Sequence, residues 1–338
     1  MAEHEALFYK KLKDKLVHCQ LCPQSCVISP GNYGKCKARK NINGKLYSMV
    51  YAQPVSVAVD SIEKKPLFHM LPGTYAYSIG TTGCNMGCLF CQNSTISQAF
   101  PEDMPGVYME PKDVVENAVR EKCFSIAYTY TEPSIGCEYV LDTAILAKKK
   151  KLKNIMVTNG FINPEPAKKL YKYIDAANVD LKGFTEDYYK NICFARLQPV
   201  LETLKLLDKM GVWIEITNLI IPGLNDDMKK IEEMCEWIKK ELGTGYPLHF
   251  SRFFPCYKMM DRQPTPFETL KKAYQVAKKV GIKYVYVGNV PEREYEHTYC
   301  PKCKETVIKR TSYFQIEDNK LKNGSCPKCK TKIEGVWK

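Results

Sequence analysis

Between residues 76 and 291, short β-rich runs alternate with longer amphipathic stretches, and this rhythm narrows the fold more than any other feature of the chain. The strand candidates are Tyr77–Gly83, Phe124–Tyr128, Asn154–Thr158, Ala177–Leu181, Val212–Leu219 and Leu248–Phe254, with Lys283–Val287 as a seventh. Between them the 3.6-residue periodicity predicts helices over Pro111–Lys122, Gly136–Lys150, Glu165–Tyr173, Leu197–Met210, Asp227–Leu242 and Pro266–Val280. Six or seven such units build an α/β protein with a parallel sheet, an incomplete (β/α) barrel. Barrels of this kind gather their chemistry at the C-terminal ends of the strands.

Directly after the first predicted strand comes Thr82-Gly83-Cys84-Asn85-Met86-Gly87-Cys88-Leu89-Phe90-Cys91-Gln92-Asn93. The C-x3-C-x2-C spacing offers three thiolates from one compact loop. A [4Fe–4S] cluster held by three cysteines keeps one iron free for another ligand. A structural zinc site wants four protein ligands, so zinc suits this loop poorly.

The chain holds 16 cysteines, and eleven fall into three groups. Besides Cys84, Cys88 and Cys91 these are Cys19, Cys22, Cys26 and Cys36, then Cys300, Cys303, Cys326 and Cys329. The remaining five, Cys123, Cys137, Cys193, Cys235 and Cys256, read as small buried apolar residues. Residues 1–75 form an N-terminal segment, with a helix expected over Leu7–Val17 because Phe8, Leu12 and Leu16 recur at four-residue spacing. Its four cysteines within eighteen residues form a closed site for zinc or for an auxiliary Fe–S cluster. Residues 76–291 carry the barrel. Residues 292–338 carry paired C-P-x-C knuckles, with Val307-Ile308 and Tyr313-Phe314-Gln315-Ile316 as hairpin strands. That pattern reads as a zinc ribbon, and stapling a core this small is its default task.

Cysteines used in this way suit a reducing compartment, and the charged Met1-Ala2-Glu3-His4-Glu5 start lacks a signal-peptide apolar region. With no apolar run long enough for a membrane span, a cytoplasmic protein without membrane partners is expected. The net charge of +13 comes mostly from lysine. It favours an acidic partner, nucleic acid included, but lysine-rich outer helix faces account for it as well.

Gly-Cys-Asn-Met-Gly-Cys-x-Phe-Cys-Gln-Asn, Asp-Leu-Lys, Ser-Arg-Phe-Phe-Pro and Tyr-Val-Gly-Asn-Val, together with the N-terminal Cys-x-x-Cys-Pro module, resemble the radical S-adenosylmethionine (SAM) superfamily. Within it the chain looks like the AmmeMemoRadiSam-system radical SAM proteins, relatives of pyruvate formate-lyase activating enzymes. The resemblance runs over nearly the whole chain. It implies a partial (β/α)6 radical SAM barrel with a [4Fe–4S] cluster on Cys84, Cys88 and Cys91. It also implies reductive cleavage of SAM to a 5′-deoxyadenosyl radical that abstracts hydrogen from a substrate. A ferredoxin or flavodoxin would supply the electron.

The resemblance also assigns the strand ends. Thr131-Glu132-Pro133 stands where activases carry Gly-Gly-Glu-Pro, which binds the SAM amino group, although both glycines are absent here. Asp180 and Lys182 correspond to an Asp-x-Lys pair on the SAM amino and carboxylate groups. Asn159 ends the third strand over the barrel mouth, and Glu215 and Asn218 are expected on the substrate or ribose side. Near the sixth strand the activases place a SAM-contacting histidine. Here Phe254 takes that place, His249 is displaced, and Arg252 is a substitute. Asn289 ends the last strand on the adenine side. A protein substrate, such as a glycyl residue, is the leading expectation. RNA modification is the alternative, and a non-catalytic metal scaffold the third.

Overall fold

The computed structural model describes residues 4–311 and 315–338. Tyr313 and Phe314 of the expected hairpin, and Met1 to Glu3 at the N-terminus, lie outside the described residues.

The centre of the molecule is an eight-stranded sheet. Seven of its strands are parallel and run in sequence order: Tyr75–Gly80, Ser125–Tyr128, Lys153–Thr158, Ala176–Asp180, Trp213–Ile220, Leu248–Arg252 and Val285–Gly288. All seven expected strands are present, each within a few residues of its predicted bounds. Their β-branched and small apolar residues leave both faces covered, as parallel sheets require. The helices Pro111–Arg120, Cys137–Lys149, Pro164–Tyr171, Leu197–Lys209, Met228–Glu241 and Phe267–Val280 follow the strands. Their starts are written locally. Pro111 sits at the first helical position behind a reciprocal Glu110–Asp113 capping box.

The sheet does not end where the barrel was expected to begin. Residues Ser56–Ser61 form an antiparallel edge strand on Tyr75–Gly80, with Ser56 opposite Gly80 and Ser61 opposite Tyr75.

The expected Leu7–Val17 helix is a correction. Tyr9–Lys11 and Val17–Cys19 are antiparallel strands, joined through a single tight turn at Lys13–Lys15. Val17–Cys19 pairs again with Val27–Ile28. The four-residue spacing of Phe8, Leu12 and Leu16 misled. Phe8 and Asp14 take left-handed backbone angles (φ 57° and 54°), and Leu12 stays 43% exposed. An isolated helix of three turns is marginal, so cross-strand pairing outweighs its propensity.

At the other end, Thr298–Tyr299, Thr306–Arg310 and Ile316–Asn319 form a small antiparallel sheet. It closes the foot of the barrel. Arg310 is buried, donates 2.7 Å to the Phe68 carbonyl, and stacks its guanidinium 4.1 Å over the Phe68 ring. The Val336 N–H donates to the His69 carbonyl at 2.7 Å, and the Leu71 N–H donates to the Val336 carbonyl at 2.8 Å.

Candidate active site

The C-terminal strand ends surround a cavity of about 230 Å³. Cys84, Cys88 and Cys91 line it from one side, and Thr131, Glu132, Asn159, Asp180 and Lys182 from the others. Those are five of the side chains expected to meet SAM. Asn289 joins them from the last strand.

Lys182 donates 2.9 Å to Asp180 and lies 5.8 Å above the Phe90 ring of the cysteine loop. Burial works against its charge, but the Asp180 carboxylate and the Cys88 sulfur outweigh that and hold its pKa well above the lysine range. An ion pair facing a cavity so enclosed costs desolvation energy that a zwitterionic ligand offsets.

Glu132 is 1% exposed and does not point a free carboxylate into the cavity. It accepts from the Ser134 N–H at 2.9 Å, the Thr158 hydroxyl at 2.9 Å and the Asn159 N–H at 2.8 Å. It therefore fixes the turn that carries Asn159. Burial still raises its pKa in spite of these donors. Asn159 in turn donates 2.9 Å to Asn85 Oδ1, and its amide lies 3.7 Å from Cys84 Sγ. Thr131 bonds the Thr81 carbonyl at 2.8 Å, and Tyr130 before it adopts φ 71°. The chain thus makes a left-handed turn here without either glycine of the activase motif.

Three expected residues lie elsewhere, and the first, Asn218, is buried and donates to the Leu181 carbonyl at 2.6 Å. Glu215 is on the correct face of its strand, shared with Thr217 and Leu219, but one layer too deep. Thr217 and Leu219 line the cavity, whereas Glu215 accepts from the Phe68 N–H (2.9 Å), the His69 N–H (2.7 Å) and His249 Nε2 (2.7 Å). Arg252 donates to the Thr265 carbonyl at 2.8 Å and stacks on Phe254, outside the cavity lining.

Cys193 is the residue sequence reasoning missed. Its stretch, Tyr189–Cys193, is a π-helical turn whose backbone carbonyls at Ile192 and Cys193 accept from Leu89 and Gly87 of the cysteine loop. The Cys193 side chain acts on Cys88 and lowers its pKa against the effect of burial, with Lys182 assisting. Burial instead pushes the Cys84 thiol well up and raises Cys91, whose sulfur lies 3.2 Å from the Ser97 hydroxyl. No spacing rule links Cys193 to residue 88, so only the tertiary fold reveals the contact.

A second cavity of about 430 Å³ shares Asp180, Thr217 and Asn289 with the first and runs down the barrel to Phe68, His249 and Tyr286. The strand ends thus open onto one site with two compartments, one facing the cysteines and one inside the barrel.

A three-thiol loop at the mouth of an open parallel barrel defines a class, and this chain belongs to the radical SAM superfamily. The superfamily model matches residues 78–238. The uncharacterized protein MJ0808 of Methanocaldococcus jannaschii is 49% identical over 306 residues, 90% of this chain and 91% of that one. The pyruvate formate-lyase-activating enzyme of Clostridium pasteurianum is 23% identical over 215 residues, 59% of this chain and 88% of its own. Among solved structures, Streptococcus suis SuiB bound to S-adenosylmethionine superposes with a TM-score of 0.50 at 12% identity, covering 68% of this chain and 53% of that one. Membership implies SAM and a [4Fe–4S] cluster.

The residues fit that group. Cys84, Cys88 and Cys91 all line one cavity and interact electrostatically in every pair. Their three sulfurs do not all lie within 4.8 Å of one another, and a cluster that gives each thiolate a different iron does not require that they should.

Proposed function

We propose that this protein reductively cleaves SAM at a [4Fe–4S] cluster on Cys84, Cys88 and Cys91, and that the resulting 5′-deoxyadenosyl radical abstracts hydrogen from a protein substrate. The observation that carries this reading is the shared cavity, in which the three thiols face the Asp180–Lys182 pair. When bound, the cluster supplies the single electron that breaks the carbon–sulfur bond of SAM.

The chain's own residues do the rest. Asp180 accepts the SAM ammonium, and Lys182 receives the carboxylate. Glu132, fully engaged in hydrogen bonds, holds the Thr131 and Asn159 turns at fixed distances from the cysteine loop. Thr217 and Asn289 line the passage from the cysteine compartment to the barrel interior, where a substrate segment presents its C–H bond. Positioning of this sort is the main contribution a radical enzyme makes. The relationship to the activating enzyme of C. pasteurianum supports a protein substrate and a one-electron donor such as ferredoxin or flavodoxin.

The Cys300, Cys303, Cys326 and Cys329 sulfurs, at 3.5 Å for Cys300–Cys329 and 3.6 Å for Cys303–Cys326, suit a tetrahedral zinc ion. A cytoplasmic location is part of the same reading, because cysteines grouped as metal ligands suit a reducing compartment.

The test is anaerobic reconstitution with iron and sulfide, addition of dithionite and SAM, and assay of 5′-deoxyadenosine. Wild type forms it and Cys88→Ala does not. Formation at the wild-type rate in Cys88→Ala refutes the cluster assignment.

A further inference from the structure

The N-terminal cysteines behave differently from the C-terminal set. Cys19, Cys22, Cys26 and Cys36 lie close enough together that every one of the six pairs interacts electrostatically. Cys19, Cys22 and Cys36 are buried and Cys26 is half-buried. Antiparallel pairing of Tyr9–Lys11 and Val17–Cys19 with Val27–Ile28 fixes the first three, and Cys36 returns through the Gly34 turn, with its Cβ-equivalent position 3.7 Å from Cys26 Sγ.

The size of the space between the sulfurs discriminates the occupant. A tetrahedral zinc with bonds of ~2.3 Å draws its thiolates to about 3.8 Å from one another. The C-terminal set obeys that, with its four ligand atoms all within 4.8 Å. Among the described residues it is the only group of three or more that does. No three of the N-terminal sulfurs lie within 4.8 Å of one another. A cubane accommodates a set wider than a single zinc ion does, since its four cysteines bind four different irons.

The location is equally specific. Gln24, between Cys22 and Cys26, donates 2.9 Å to the Asn85 carbonyl and 2.9 Å to the Phe194 carbonyl. The Asn163 N–H donates to the Leu21 carbonyl at 3.0 Å, and Arg196 reaches the Pro23 carbonyl at 2.9 Å. Gly83, directly before Cys84, has φ +91°, and a Cβ there would meet the Cys36 carbonyl oxygen at 2.3 Å. The two cysteine loops touch backbone to backbone. Arg39 turns a guanidinium N–H toward Cys19 Sγ at 3.9 Å, and Lys35 acts electrostatically on Cys26, so the set has positive neighbours.

We infer that Cys19, Cys22, Cys26 and Cys36 hold a second, fully cysteine-ligated [4Fe–4S] cluster, packed against the loop of the SAM-binding cluster. This goes beyond the proposed SAM cleavage and does not depend on it.

The test uses the full-length triple variant Cys84→Ala/Cys88→Ala/Cys91→Ala, reconstituted anaerobically and assayed for iron, sulfide and zinc, with electron paramagnetic resonance after reduction. Roughly four irons and one zinc per chain, with a reducible four-iron signal, is the expected result. One additional zinc and no iron overturns the inference, as does a two-iron cluster. Should the triple variant fail to fold, wild type decides: roughly eight irons with one zinc supports the second cluster, and roughly four irons with two zincs overturns it. Cys22→Ser/Cys36→Ser should then halve the wild-type iron. Failure of the SAM reading shows separately, as absence of 5′-deoxyadenosine from a wild-type protein with full iron.

Discussion

Lys182 Nζ lies 2.9 Å from Asp180 Oδ2, two residues away on the same side of the chain, and both face the three-cysteine loop. The register places Asp180 opposite Thr217 of the next strand, which also lines the cavity. Asn218 and Asn225 donate to the carbonyls of Leu181 and Lys182 at 2.6 and 2.8 Å. The pair is therefore held at a fixed depth from behind, with its charges turned toward the ligand side.

Replacing Asp180 by Asn removes the carboxylate while keeping the shape. The Lys182 ammonium then loses its counter-charge and the SAM ammonium its acceptor. Losing one member of a buried charged pair costs about 2–5 kcal/mol, and Asp180 is 32% exposed, so the lower end applies. SAM should bind about thirtyfold more weakly, which corresponds to ~2 kcal/mol. Equilibrium dialysis on reconstituted protein checks this, with iron content confirming an intact cluster. Unchanged affinity would remove Asp180 from the binding site.

Cys193→Ala deletes the thiol whose influence lowers the Cys88 pKa and which is placed to hydrogen-bond a Cys88-bound cluster. Three cluster ligands remain, so iron content should stay near wild type. A hydrogen bond to a cluster sulfur stabilises the more negative, reduced state, and its loss should make the reduction potential more negative. A redox titration followed by electron paramagnetic resonance reads the shift. An unchanged potential at full iron occupancy argues that Cys193 only packs.

Much of this site was legible before the structure because its determinants are local. The C-x3-C-x2-C spacing and the strand–helix rhythm depend on neighbours in sequence, and so does the side shared by Asp180 and Lys182. Depth within the barrel is not local. Alternation puts Glu215, Thr217 and Leu219 on one face, yet which of them reaches the mouth depends on where the strand sits against Asp180 and His249. The Cys193–Cys88 contact and the fold of residues 7–17 share that character. Each is decided by partners far away in sequence, and a periodicity of three apolar residues cannot encode them.

Glu215 has a different consequence. It is fully buried and ties the Phe68–His69 backbone to His249. Burial alone would raise its pKa, but His249, His69 and the backbone N–H donors outweigh it and lower it below the ordinary value of 4.5. A depressed carboxylate contributes stability that is fully present above its unfolded pKa and lost as pH falls through the folded one. Glu215→Gln should cost about 3 kcal/mol near neutral pH, by leaving its partners poorly matched. The gap to wild type should close as pH drops below about 4.5. Denaturation curves across pH 3–7 test the sign, and a gap that widens toward acid would contradict it.

The foot of the barrel depends on the C-terminal four-cysteine site. Its sheet supplies Arg310 to Phe68, and the chain beyond Cys329 supplies Val336 to His69 and Leu71. Those contacts hold the same Phe68–His69 segment that Glu215 grips from inside. A 47-residue segment has a small core, and the proposed zinc would staple this arrangement. Cys326→Ser should therefore lose one zinc and loosen the plug rather than merely fray a tail. A loss of about 4 kcal/mol corresponds to a fall in melting temperature of roughly 6 °C for a chain of this size. Cys84, Cys88 and Cys91 lie at the opposite end of the strands, so the iron of the proposed cluster should be retained at low temperature. Zinc loss with an unchanged melting temperature would mean that the ribbon's packing against the barrel stands without its ion.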